Sequence, residues 1–74
     1  MIDLDTYIKF ILDDYPYPRF RYGRIVDRTS ERYGISIFDP YQVKEVWFAW
    51  IFLNNIKHIY ENREEMLVEF IMGL

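Results

Sequence analysis

The sequence predicts an all-α fold: one helical domain spanning 1–74, in which helices over about 3–14, 19–33, 40–60 and 62–72 pack around a central apolar third helix. Three observations carry that expectation. Apolar residues recur at helical spacing near the N-terminus, Asp39-Pro40-Tyr41-Gln42 reads as a helix start, and no glycine or proline interrupts Tyr41 to Met72. A chain of 74 residues makes a single domain.

Leu4, Tyr7, Ile8, Ile11, Leu12 and Tyr15 fall at i, i+3, i+4, i+7, i+8 and i+11, the face of one helix. Asp3 suits its N-cap and Asp5 the positive end of its dipole. Pro16 stops it, because the residue before a proline is pushed out of the helical region. In the second stretch Tyr22, Ile25, Val26, Thr29 and Tyr33 share one face, and Arg21, Arg24, Arg28 and Arg32 the other. Gly34 follows as a left-handed cap. Gly23 either weakens the first turn by about 1 kcal/mol relative to alanine or lets a backbone or ligand come close. Ile35-Ser36-Ile37-Phe38 reads as a short extended connector.

Asp39 is a good N-cap, Pro40 suits the first helical position, and Gln42 completes a capping box. Asn54-Asn55 are poor helix formers, and Asn62-Arg63-Glu64-Glu65 reads as a second capping box, so the long stretch divides at about 60–62. Met66, Leu67, Phe70 and Ile71 form the inner face of the last helix, which Gly73 closes. From Val46 to Leu53 the third helix is apolar all round. Such a helix is the hub of a bundle or is covered on its second side by another chain. Val43, Trp47, Trp50 and Ile51 point to the first two helices, and Phe48, Phe52, Ile56 and Ile59 to the fourth or to a partner.

Hydrophobic residues make up 51% of the chain and aromatic residues 20%, while a chain this short buries only about 60% of the surface its unfolded form exposes. Some rings are therefore expected at the surface or in an interface. There is no cysteine, so no disulfide and no thiolate metal site, and a cytoplasmic location is expected. The acidic N-terminus lacks the basic region of a signal peptide. The longest apolar run, Val46 to Leu53, falls far short of the roughly 20 residues that span a bilayer, so no membrane is expected as a partner.

Net charge is −3, unevenly spread. Arg19, Arg21, Arg24, Arg28 and Arg32, against Asp27 and Glu31, make residues 16–33 a basic island at +3, with −3 on either side. Within it, Tyr15-Pro16-Tyr17-Pro18-Arg19-Phe20-Arg21-Tyr22-Gly23-Arg24 alternates rings and guanidiniums, the groups that dominate binding hot spots. The prolines stiffen the backbone and lower the entropy lost on binding. The expected function is macromolecular recognition without catalysis, of the regulator or inhibitor type that small acidic chains of phages and mobile elements suggest by analogy. The expected partner is a protein with an acidic surface or a second copy of the chain, met by Tyr17, Arg19, Phe20, Arg21, Arg24, Arg28 and Arg32. A dimer through the third helix is a further expectation. Nucleic-acid binding through the same arginines is the alternative. A helix-turn-helix fits poorly, because about six residues separate Tyr33 from Pro40 and the following helix opens with a single cation, Lys44.

No enzyme, cofactor or metal is expected. The sequence holds no phosphate-binding glycine loop, nucleophile elbow or zinc signature. His58 is the only histidine and reads as an ordinary polar helix position. Glu61, Glu64, Glu65 and Glu69 read as a solvated acidic face.

Overall fold

Five strands and one helix build the chain in a computed structural model that describes residues 1–12, 19–39, 41–42 and 44–73. The strands are β1 (Tyr7–Ile11), β2 (Phe20–Arg28), β3 (Arg32–Asp39), β4 (Lys44–Phe52) and β5 (Ile56–Tyr60), and the helix is α1 (Arg63–Met72). A 3₁₀ turn, Leu53–Asn55, joins β4 to β5. The all-α expectation is overturned. The stretches expected as helices over 3–14, 19–33 and 40–60 hold strands, and the expected central helix is strand β4 with the turn and β5 after it. Only the last expected helix, over 62–72, has a counterpart.

The reasons are local. Within β1 the operative period is two: Ile8 and Phe10 are fully buried, whereas Tyr7, Lys9 and Ile11 between and beside them are half-exposed. So many apolar residues in a short window satisfy both periods, and strand preference decides. Tyrosine, isoleucine, phenylalanine, valine and tryptophan lose side-chain freedom in a helix and pack well on a pleated surface. Asp39 performs the expected cap chemistry in a different place. Its carboxylate accepts from the amides of Tyr41 (2.7 Å) and Gln42 (3.2 Å), which shapes the β3–β4 connection instead of starting a helix. Thr29 does the same between β2 and β3: its hydroxyl accepts from Glu31 N and Arg32 N, and its own amide donates to Arg32 O.

All the pairings are antiparallel, in the order β4-β3-β2-β1-β5. β4 and β5 are therefore the two edges, yet three residues connect them. In a flat sheet those edges lie four spacings apart, about 19 Å. A short link of three residues spans only about 10–14 Å. The sheet must curl until its edges approach, and register shifts at Lys9/Phe10, Ile25/Asp27 and Ile37/Phe38 mark where strands bend. The interior proves the curl, because all five strands feed one cluster. Ile8, Phe10, Ile25, Ile35, Ile37 and Ile51 are buried there, with Ile56 of β5 packed against them. Asn55 locks the link: its side-chain oxygen accepts from Phe52 N (2.9 Å) and its amide donates to Ile11 O (3.0 Å).

A second, smaller core lies on the outer side of the sheet under α1. Asn62 caps this helix, accepting from Glu65 N at 2.8 Å. Met66 and Phe70 are its buried residues. Phe70 meets Tyr22 edge-on at 5.4 Å and Phe38 at 6.2 Å, and Met66 clusters with Phe38 and Tyr60. Burying each such side chain contributes about 1.5–3 kcal/mol, which holds a ten-residue helix that is marginal alone.

Candidate partner-binding surface

Where β2 begins, Arg19, Phe20 and Arg21 stand beside the last turns of α1. Between them opens a cleft of about 660 Å³, lined by Phe20, Tyr22, Phe38, Phe70 and Met72 as its apolar wall. Lys9 and Arg19 supply cations and Glu69 a carboxylate, while Arg21, opposite Phe10, borders the cleft from β2. The strand register places these groups. Lys9 lies opposite Tyr22 and Ile11 opposite Phe20, so the outer side of the β1–β2 pair turns toward the helix.

Glu69 is held from three sides. Lys9 Nζ lies 3.3 Å from its Oε2, the Tyr22 hydroxyl donates at 3.3 Å, and the Tyr60 hydroxyl donates to the same oxygen. The Tyr60 hydrogen bond, aided by Lys9, holds the Glu69 carboxyl below its ordinary range. Burial first, then the neighbouring carboxylate, pushes both tyrosine hydroxyls upward, Tyr60 most. Glu69 is thus a structural anchor rather than a member of a solvated acidic face. Lys9 also sits 4.3 Å from the centre of the Phe20 ring, a cation–π contact across the cleft mouth. Phe20 itself is 56% exposed.

The seven residues expected at the partner surface do not form one surface. Arg19, Phe20 and Arg21 meet at the cleft, while Tyr17 lies outside the described residues. The Arg21, Arg24, Arg28, Arg32 stripe required a helix face and is dissolved by the strands. Arg24 sits between Asp5 (2.5 Å) and Glu45 (3.0 Å), and the Glu45 hydrogen bond foremost raises its pKa against the opposing effect of burial. Arg28 donates to Ile2 O at 3.0 Å and lies 3.6 Å from Asp3. Arg32 stands on β3, its guanidinium 5.0 Å from the Phe52 ring. Acids of the N-terminal segment thus neutralise part of the basic island from within the fold.

A second surface lies in the run that the sequence offered to another chain as the side of a helix, and it is a strand. The outer side of edge strand β4 carries Phe48, Trp50 and Phe52, exposed by 55%, 42% and 49%. Phe48 and Trp50 meet edge-on at 5.5 Å. They lie across Gly34, where an added Cβ would stand 3.0 Å from Phe48 and 3.1 Å from Trp50. The available signal was the run Val46 to Leu53, apolar on every side. In a strand this means one face in the core, through Ala49 and Ile51, and another in the open.

His58 is exposed on β5, its ring 4.5 Å from Tyr60. Among the described residues no group of three or more His, Cys, Asp or Glu side chains could hold a metal ion, and no helix is long and apolar enough to cross a membrane. Comparison with known proteins finds no matching family model, no similar curated protein and no similar solved structure.

Proposed function

We propose that this protein is a non-catalytic recognition module of the regulator or inhibitor type. Its cleft between β2 and α1 receives a segment of a protein partner that carries an apolar or aromatic side chain flanked by carboxylates. One observation supports the reading above the others: Arg19, Phe20, Arg21 and Lys9 surround a wall of Phe38, Phe70 and Met72, while the single carboxylate lining the cleft among the described residues is engaged by Lys9, Tyr22 and Tyr60. The apolar wall takes the anchoring ring and the cations orient the acidic flanks. Arg24 and Arg28 have structural roles in this reading, and Arg32 lies away from the cleft, against Phe52 of β4. The cytoplasm is the compartment proposed, on the ground that a chain without cysteine relies on no disulfide.

Fluorescence anisotropy with short labelled peptides tests the proposal. A peptide with a central phenylalanine between aspartates should bind saturably, and its lysine-flanked counterpart should not. Phe20→Ala should weaken binding about tenfold or more, the loss of a hot-spot ring. Oligothymidylate is the competing ligand. If it binds more tightly than the acidic peptide, with affinity falling about 0.7 log units per log unit of salt for each phosphate contacted, the cleft recognises nucleic acid and the proposal fails.

A further inference from the structure

The exposed rings of β4 form a surface independent of the cleft, on an edge strand that lacks the usual protection against pairing. Among the described residues β4 pairs with β3 alone; the Phe52 amide is taken by Asn55 at the link to β5, and from Trp47 to Ile51 the other side of the strand presents unpaired backbone donors and acceptors. Natural edges are blunted by charges, prolines or bulges. Here Lys44, Glu45 and the register shift near Val46 blunt only the beginning of the strand. From Trp47 to Phe52 there is no charge, proline or shift.

We infer that β4 pairs antiparallel with β4 of a second copy about a two-fold axis at Ala49, joining two sheets into one. The order of side chains favours this occupant. A two-fold axis at Ala49 places Phe48 opposite Trp50 of the second copy twice over, Ala49 opposite Ala49, and Trp47 opposite Ile51. Ring meets ring on the outer side, and no charge is buried anywhere from Val46 to Leu53. The contact is isologous, so it closes at two subunits rather than propagating. The area is of the right order. Trp47 is 62% exposed, and with Phe48, Trp50 and Phe52 offers about 300–500 Å² of ring surface per chain. Val46 and Leu53, also exposed, and the open backbone extend this toward the roughly 800 Å² per partner of a standard interface.

Sedimentation of the parent chain across micromolar to submillimolar concentrations should show a monomer–dimer equilibrium. Phe48→Lys and Trp50→Glu should each shift it to monomer. An equimolar mixture of the two should recover a heterodimer, because one ring pair is retained and the other becomes a lysine–glutamate pair. Val68→Lys, on the exposed side of α1, should leave the equilibrium unchanged. Amide exchange at Phe48 and Trp50 of the parent, whose N–H groups share the open edge with that of Phe52, should slow as concentration rises, a readout that needs no variant. A parent monomeric throughout, or exchange independent of concentration, overturns the inference. A mixture that stays monomeric overturns the register at Ala49.

Discussion

Gly23→Ala separates the sheet from a helix by the sign of its effect. In the structure an added Cβ at Gly23 would stand 2.5 Å from the Ser36 carbonyl oxygen and 2.6 Å from Ile35 Cγ2. The first is backbone of the neighbouring strand, where Gly23 lies opposite Ile37 and Arg24 opposite Ser36, so it cannot retreat without parting β2 from β3. Overpacking of this kind costs about 1–3 kcal/mol. For a domain of this size each kcal/mol lowers Tm by about 4–8 °C, so a fall of roughly 4–24 °C is expected. In a helix over 19–33 the same substitution would stabilise by about 1 kcal/mol. Gly34→Ala is the internal comparison, because its Cβ would press on the far ends of the Phe48 and Trp50 rings, which can move. Thermal and urea unfolding followed by circular dichroism reads all three chains. A Gly23→Ala chain as stable as the parent, or more so, refutes the strand pairing at its centre.

Three further outcomes follow from single contacts. Asn62→Ala removes the cap of α1 and should cost about 1 kcal/mol, measured as a lower urea midpoint. Asn55→Ala leaves Phe52 N and Ile11 O without the partner that ties the 3₁₀ link to β1, and should cost about 1–3 kcal/mol. The third outcome concerns pH. Because the Glu69 carboxyl is held low, its contribution is present above the ordinary value of 4.5 and is lost as pH falls through the lower folded value. Because the Tyr22 and Tyr60 hydroxyls are held high, theirs is present below 10 and is lost as pH rises beyond it. Urea midpoints should therefore fall at both limbs, and Glu69→Gln should flatten the acid limb; an unchanged acid limb in that variant contradicts the role given to Glu69.

Local chemistry was legible in this sequence where a side chain acts on its own neighbours. Asn62 and Glu65 announced a helix start, and that helix exists. Asp39 announced a cap, and its carboxylate does accept two amides ahead of it, but a hairpin connection uses the same acceptor geometry as a helix start. Gly23 was open to two readings, and the close approach of a backbone is the one realised. What the sequence did not reveal was period, because apolar residues in 4–15 are dense enough to satisfy three-and-a-half and two alike. The arginine stripe fell with the period. Its spacing of three and four has meaning only on a helix, and on strands Arg24 and Arg28 reach acids of the N-terminal segment instead. The rings too many to bury were legible from composition, and their exposure on β4 follows from a run apolar on both sides of a strand.

The central claim, a cleft between β2 and α1 that takes an acidic, ring-bearing segment, is tested most directly by mapping amide chemical shifts during titration with the aspartate-flanked phenylalanine peptide. Shifts should concentrate at Phe20, Arg21, Tyr22, Phe38, Phe70 and Gly73, saturate together, and disappear in Phe20→Ala. Shifts confined to Phe48, Trp50 and Phe52, or none that saturate, would contradict it.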